Sequence, residues 1–364
     1  MFDLTLTQRS LLAAGFVVAV GLVAFPAEDP AVTRGRELFD RTFTKAEGLG
    51  TPEMNADTCR GCHSDPVLGG AGALELNVTR FGFDNMGVGP FQELPGGQGL
   101  SKLRPPHYAW REEAAATADC FEQRQTPSLL GDGLVDAIPE SAIVANEDPN
   151  DLNADGVRGV ARRLTINGIT EIGRFGWKAQ IPRLADFVRD AMFGELGITT
   201  PDDGRGFAPT TDGDTVADPE LGATATADVH AFMASLPAPV RAGSTDPLVA
   251  LGQQIFGEVG CTKCHVPALQ GASGPVPLYS NLLLHNVMPA GYRGMAEPGA
   301  GVGFFRTPPL WGISHTAPYM HDGRAETLLA AIQAHDGEAA GVRAAFQARP
   351  EADRDALLRF LGDL

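Results

Sequence analysis

Two short stretches, ADTCRGCHSDPVL at residues 56 to 68 and GEVGCTKCHVPAL at residues 257 to 269, each place two cysteines and a histidine within five positions. A zinc site would want a second ligand pair nearby, and the chain provides none. CxxCH is instead the attachment signature of c-type haem: the two thiols form thioethers with the porphyrin vinyl groups, and the adjacent imidazole becomes the proximal iron ligand. Cys59, Cys62 and His63 are therefore assigned to a first haem, and Cys261, Cys264 and His265 to a second. A redox dithiol or a CxxC staple would leave the adjoining histidine without a purpose. Cys120, the fifth cysteine, reads as a buried bystander thiol.

The second axial face of each iron decides its chemistry, because two strong protein ligands allow only electron transfer whereas an open face binds peroxide or O₂. In YMHDGRAETLLAAIQAHDGE, Leu328, Ile332 and His335 fall on one helical face, with Gly337 placed to end the helix. His335 on that apolar stripe points inward and is the candidate second ligand of haem 2. For haem 1 a vacant or weakly held face is the first choice, followed by His107 of RPPHYAW and then Met86 of FDNMGVGP. The segment NDLNADGVRGVAR sets Asp151, Asn153 and Asp155 at alternate positions with Gly156 next, like the first half of an EF-hand loop. Its twelfth position is Arg162 rather than Glu, so one Ca2+ is a candidate cofactor whose ligand set stays open.

The elements that must position these groups come in pairs. GRELFDRTF and LGQQIFGEVG lead into the two clusters with the same Gly-x-x-aliphatic-Phe spacing, and TATADVHAFMASL and EADRDALLRFLGDL echo each other downstream at helical periodicity. One supersecondary plan used twice is expected, with PAPVRAGSTDP at residues 237 to 247 as linker. The expected domains are 31 to 238, swollen by Gly/Pro-rich loops, and 245 to 364. Few alternating runs are long enough for a sheet, so the fold is expected to be mainly α with much irregular chain.

The formal charge of −17 argues against nucleic acid or an anionic membrane surface as partner and suits a basic protein docking on an acidic patch. Residues 1 to 27 hold an Arg, an apolar run and Phe25-Pro26-Ala27, and read as an export signal. The run is short for a span of roughly 20 residues. Its weak cleavage site keeps an uncleaved inner-membrane anchor as the alternative. Either way the rest of the chain is expected outside the cytoplasm, in the periplasm.

FFRTPPLWGISHTAPYMHDGRAETLLAAIQAHDGEA resembles the C-terminal signature of the bacterial di-haem cytochrome c peroxidase superfamily, especially its di-haem oxidoreductase (putative peroxidase) branch. RQTPSLLGDGLVDAIPE, GRFGWKAQIPRLADFVRDAMFGELGITTP and YSNLLLHNV are similar to that branch too. The resemblance implies two class I cytochrome c-like haem domains, the first with long irregular loop insertions. It also implies that the residue fourteen places after His321, here His335, is the distal ligand of the electron-transferring haem. The peroxidases usually have Met there, and imidazole in its place lowers the potential; the related methylamine-pathway maturation enzyme has Tyr.

The family's tryptophan between the haems falls on Trp177. Its active-site glutamine position carries Phe187, and Glu195 lies near its catalytic glutamate, where a carboxylate moves a proton between peroxide oxygens. The family's interdomain calcium would use the carbonyls of Thr316 and Pro318, its Asn ligand being replaced by Gln125. His285 and His315 lie in family segments and are expected to serve structural hydrogen bonds. The implied activity is reduction of H₂O₂ to water at haem 1. Electrons would enter at haem 2 from a small c-type cytochrome or similar donor protein and pass by Trp177. The alternatives are high-valent haem oxidation of a partner protein or organic substrate, and a non-catalytic electron-transfer cytochrome. A membrane is a partner only if the N-terminal segment stays uncleaved, and a homodimer is compatible with the sequence.

Overall fold

Asp-Pro opens both helices that lead into the cysteine clusters. In the computed structural model, which describes residues 29 to 97, 99 to 110 and 113 to 364, Asp29 accepts a hydrogen bond from Ala31 N at 2.9 Å and Asp246 one from Leu248 N at 2.9 Å. A carboxylate cap followed by proline at the first helical position satisfies an orphan N–H and presets φ, so both helices start where the sequence dictates. The expected export segment, residues 1 to 27, lies outside the described residues. None of the described helices is long and apolar enough to cross a membrane.

In chain order the described elements begin with α1 (Pro30–Asp40), then β1 (Val78–Phe83), β2 (Gln92–Glu93) and β3 (Cys120–Arg124). Short helices α2 (Asp132–Asp136) and α3 (Glu140–Val144) precede the hairpin of β4 (Arg163–Ile166) and β5 (Ile169–Ile172). Helices α4 (Leu184–Leu196), α5 (Ala223–Ser235) and α6 (Pro247–Glu258) follow, then the strand pairs β6 (Leu269–Gly271) with β7 (Gly274–Val276) and β8 (Leu284–Asn286) with β9 (Phe304–Arg306). The chain closes with α7 (Leu328–Ala334), α8 (Ala340–Gln347) and α9 (Glu351–Asp363). The strands are short and antiparallel, and a helix precedes each of the two cysteine clusters.

The duplicated plan is visible atom by atom. α1 crosses α5 so closely that a Cβ on Gly35 would stand 1.8 Å from Asp228 O, and α6 crosses α9 so that one on Gly252 would stand 1.9 Å from Ala356 O. Only glycine permits these approaches. One turn along, Phe39 meets Phe232 with ring centroids 5.2 Å apart, and Phe256 meets Phe360 at 5.3 Å. The same two phenylalanines back the histidines of the clusters, His63 at 6.3 Å and His265 at 6.4 Å. Each helix pair thus fixes its CxxCH turn through one aromatic contact of each lead helix.

The larger apolar core contains α1, α4 and α5 side chains together with Leu278, Leu282, Leu283 and Trp311 from the C-terminal half, while Val249, Phe256, Phe346, Leu357 and Phe360 form a second core. The segment at residues 237 to 247 is pinned rather than free: Arg241 Nε pairs with Asp363 at 2.5 Å and Ser244 N donates to Asp363 Oδ1 at 2.7 Å.

β1 lies between β2 and β3, and the inward face of β3 is Cys120, Glu122 and Arg124, all buried. Charged residues sit inside because they pair. Glu297 takes Arg80 at 2.5 Å, Arg162 at 2.7 Å and Arg124 at 3.5 Å, tying β1, β3 and the entry to β4 to the loop around residue 297. Burial alone would raise Glu297; Arg80, Arg124 and Arg162 outweigh it and hold the carboxyl down at about 2. The ammonium of fully buried Lys178 completes the cluster by donating to Phe304 O at 2.8 Å and Gly301 O at 3.0 Å.

Candidate functional site

Both CxxCH segments fold as one 3-10 turn, Cys59–Gly61 and Cys261–Lys263, with the histidine N–H returning to the first cysteine's carbonyl at 3.0 Å for His63 and 2.9 Å for His265. The four cysteines form no disulfide. Burial pushes Cys59, Cys261 and Cys264 up to about 12, the opposite of the lowered thiol pKa that a redox CxxC requires.

The imidazoles are set by backbone carbonyls. His63 Nδ1 lies 3.2 Å from Gly70 O, His265 Nδ1 2.9 Å from Tyr279 O, and His335 Nδ1 2.7 Å from Ala331 O. A carbonyl only accepts, so each Nδ1 carries the proton and each Nε2 keeps its lone pair. That is the tautomer of an iron-ligating histidine with its outer hydrogen bond already made. Burial lowers His63 to about 4 and, with His335 adding to the effect, His265 to about 3, so these rings are neutral at physiological pH.

Cys261, Cys264, His265 and His335 line one cavity of about 260 Å³. Phe256, Leu328, Ile332, Leu357 and Leu361 give it apolar walls, and Trp177, Arg306 and His321 line it too. A c-type porphyrin fits this chemistry: two thiols, two imidazoles with free Nε2 atoms, apolar faces and a cation for the carboxylates. Burial lowers Arg306 to about 10, which leaves it charged at neutral pH. The buried Nδ1 of His321 has no hydrogen-bond partner among the described residues and is a polar atom that such a cofactor would face.

His335 differs in detail from its expected setting. α7 ends at Ala334, so His335 is the C-cap residue in extended conformation, and Gly337 lies beyond the helix end. Helical periodicity still located the side chain because its Nδ1 donates back to Ala331, one turn earlier. Gly337 is required for another reason: at φ 55° its missing Cβ would otherwise stand 2.3 Å from Asn286 O.

Around His63 the composition changes. A recess of about 680 Å³ beside Cys62 is lined by Asn55, Leu74, Leu76, Asn77 and Lys102. Glu195, on the last turn of α4, lies within electrostatic reach of Cys59 and Cys62, and burial raises its carboxyl above the ordinary range, with Asn55 opposing through a hydrogen bond. Its main-chain carbonyl accepts from Asn55 N at 2.8 Å and Ala56 N at 3.3 Å, fastening α4 to the CxxCH approach. Phe187, earlier on α4, packs against Phe175 with ring centroids 6.0 Å apart. His63 and Glu195 keep some accessible surface, and Asp190 is exposed.

Trp177 joins the two sides. Its Nε1 donates to Gln125 O at 2.7 Å, and the neighbouring Thr126 O accepts from Gly72 N at 3.1 Å. A Cβ on Gly72 would stand 2.6 Å from Cys62 O, and Pro127 lies against the His63 ring while lining the second cavity. The strip from Gln125 to Ser128 is therefore a common wall, one backbone thick.

Neither His107 nor Met86 lines the recess beside Cys62. His107 Nε2 lies 3.1 Å from Asp214 Oδ2, and Met86 is 69% exposed with its N–H on Asp119. In the Asp151 loop the carboxylates turn on their own backbone: Asp151 Oδ1 and Asn153 Oδ1 both accept from Asp155 N, and Asp155 Oδ1 accepts from Val157 N. Thr316 Oγ1 meets Ile313 O at 3.4 Å, and Pro318 lines the second cavity. Among the described residues the acids that converge are Asp212, Asp218 and Glu220, with ligand oxygens within 4.8 Å of one another. His285 is buried with both ring nitrogens engaged, by Asn281 and Glu338, whereas His315 is exposed on a turn.

Sequence reasoning missed Asp190, Arg306 and Asn55. Asp190 follows Phe187 on α4, and partial desolvation, with the negative charge of Glu195 adding to it, raises its carboxyl to about 7. Five residues before Glu195 on one helix, it was detectable only as a second acid.

A family model described as di-haem oxidoreductase, putative peroxidase matches residues 119–364, well over half of the chain. Solved structures that match include a MauG-like protein associated with microbial copper homeostasis, at 17% identity and TM-score 0.42, covering 93% of this chain and 91% of that one. A variant of the diheme peroxidase BthA from Burkholderia thailandensis matches at 14% identity and TM-score 0.44, with coverages of 92% and 85%. Kuenenia stuttgartiensis hydrazine synthase matches at 14% identity and TM-score 0.41, with coverages of 98% and 100%. No curated protein matches the chain.

Proposed function

Because the chain belongs to the di-haem oxidoreductase, putative peroxidase family, we propose that this oxidoreductase is an exported c-type cytochrome that reduces hydrogen peroxide to water at its first haem site. Electrons enter at the second site from a small donor protein. The observation that carries the reading is an asymmetry between the sites. His265 and His335 share one cavity, each with Nδ1 spent on a carbonyl, whereas Cys59 and Cys62 have the buried carboxyl of Glu195 within electrostatic reach, with Lys102 beside Cys62.

His265 and His335 would hold the second haem and His63 the first; when bound, these groups would supply one-electron transfer and peroxide reduction. The chain does the rest. The four CxxCH thiols anchor the porphyrins, and the carbonyls of Gly70, Tyr279 and Ala331 hold the ligating imidazoles in register. Glu195 takes a proton from the nearer peroxide oxygen and returns it to the departing one, so that H₂O₂, two electrons and two protons leave as two waters. Trp177, hydrogen-bonded to the common wall, carries electrons between the sites. The net charge of −17 suits a basic donor and, on the sequence resemblance, Ca2+ is a further cofactor.

The test combines turnover with electron paramagnetic resonance of the purified and half-reduced holoprotein. One low-spin haem indifferent to cyanide, a second that responds to H₂O₂, and rapid peroxide-dependent oxidation of a reduced c-type cytochrome are expected. Two low-spin haems that ignore peroxide and cyanide in every redox state would reduce the protein to an electron carrier. Fast reaction with peroxide but slow cytochrome turnover would favour oxidation of a partner protein or organic substrate. Acidic acetone should extract no haem from the native protein and one equivalent from a Cys59→Ala/Cys62→Ala variant.

A further inference from the structure

Against His321, the hydroxyl of Tyr292 sits between two groups able to handle its proton. Tyr292 Oη lies 2.9 Å from His321 Nε2 and 3.0 Å from Glu122 Oε2. His321 is 2% exposed, lines the cavity of His265 and His335, and stacks on Phe305 with ring centroids 3.8 Å apart. Its ring meets that of Tyr292 edge to face at 5.9 Å. The phenol is therefore one side chain removed from the cavity wall, and Tyr292 itself is half-buried.

The proton's position follows from its neighbours. Glu122 is fixed by Arg124 and by Met295 N at 3.1 Å. Burial alone would raise its carboxyl, but Arg124 and Lys178 outweigh that and keep it ionised. A carboxylate only accepts, so the Tyr292 hydroxyl donates to Glu122 and His321 Nε2–H donates to the phenol oxygen. This assignment leaves His321 Nδ1 as the bare nitrogen, consistent with its lack of a partner among the described residues. Arg324 lies over the Tyr292 ring at 5.5 Å, a positive charge that disfavours a cationic ring. Loss of an electron here must therefore be coupled to loss of the proton. Of the four tyrosines Tyr292 alone has this setting; Tyr319, which lines the same cavity, donates to the carbonyl of Ile313, which is no base.

We propose that Tyr292 is a redox-active tyrosine that supplies one of the electrons peroxide takes, by way of the haem of the second cavity, while its proton passes to Glu122. The O–H bond on Tyr292 Oη breaks, an O–H bond forms on Glu122 Oε2, and one electron leaves the phenol. The neutral phenoxyl oxygen keeps its hydrogen bond from His321. Peroxide is the oxidant, so the inference rests on the function proposed above. The consequence is a one-electron oxidising site outside both porphyrins, on a half-buried ring open to organic reductants.

Freeze-quenched electron paramagnetic resonance of the diferric holoprotein mixed with H₂O₂ tests it. A narrow organic radical is expected, with proton splittings that collapse in protein grown on ring-deuterated tyrosine. The signal disappears in Tyr292→Phe and survives in Tyr319→Phe. Glu122→Gln lowers the radical yield by about tenfold, because the amide takes up no proton; if that variant fails to fold, the deuterated wild type and Tyr292→Phe decide alone. Haem spectra that respond to peroxide with no tyrosine radical, or with one that persists in Tyr292→Phe, overturn the assignment and leave peroxide reduction standing. Haems inert to peroxide overturn both.

Discussion

At the scale of single residues, a histidine's role rests on which ring nitrogen is already engaged. His63, His265 and His335 give Nδ1 to carbonyls, His285 uses both nitrogens, and His321 uses Nε2, so three of these five present the Nε2 lone pair that ligation needs. If His335 ligates the second iron, His335→Met raises that haem's potential by on the order of 100 mV, within the roughly 0.8 V that axial ligands span. Spectroelectrochemical titration measures it, and unchanged potentials with an unchanged low-spin signal would remove His335 from the iron. Glu195→Gln should cut peroxide turnover about 100-fold or more while haem content and melting temperature stay as they were. The variant keeps its place because main-chain bonds to Asn55 and Ala56 hold that position. A drop in turnover matched by loss of haem would mean that Glu195 is structural.

At the scale of elements, the two helix crossings make a mechanical statement. Gly252→Ala puts a methyl group 1.9 Å from Ala356 O, so α6 and α9 must part, and Phe256 withdraws from His265. A loss of about 3 kcal/mol is expected in chemical denaturation, with a weakened second haem signal; a neutral substitution would show that the crossing is not tight. This duplication was legible in the sequence because Gly-x-x-aliphatic-Phe lies within one helical turn. The strands were not. β3 alternates buried and exposed positions, but its buried set is Cys120, Glu122 and Arg124, and an alternation search keyed to apolar residues passes over it. The end of α7 was misplaced for a related reason: the turn of His335 and the close approach of Gly337 to Asn286 are set by β8, remote in sequence.

At the scale of the whole molecule, Glu297 is the counterion that lets Arg80, Arg124 and Arg162 be buried together. Its carboxyl is held near 2 against an ordinary 4.5, so the stabilisation it brings is complete above about pH 4.5 and is lost as pH falls through the folded value. The wild-type melting temperature should therefore drop steeply between those limits. Glu297→Gln should flatten that part of the profile and lower stability at pH 7 by ~3–5 kcal/mol, since Arg80 and Arg162 lose their carboxylate while Arg124 keeps Glu122. An unaltered acid limb would show that the network is not what acid dissolves. The expected division at residues 238 and 245 separates the two helix pairs, yet the larger core contains Leu278 to Leu283 and Trp311 from beyond it. Apolar burial follows proximity rather than chain order.

By itself the sequence determined the two CxxCH turns, the paired helices that back them and the inward histidine of the C-terminal segment. Each of these is a local pattern, complete within one or two helical turns, where covalent geometry and periodicity suffice. Only the tertiary structure decided which imidazole nitrogens are free, that Asp190 lies within the electrostatic reach of Glu195, and that Glu122, Tyr292 and His321 meet. A group's proton affinity and hydrogen-bond partners depend on the atoms that displace water around it, and those atoms come from segments that the linear chain keeps far apart.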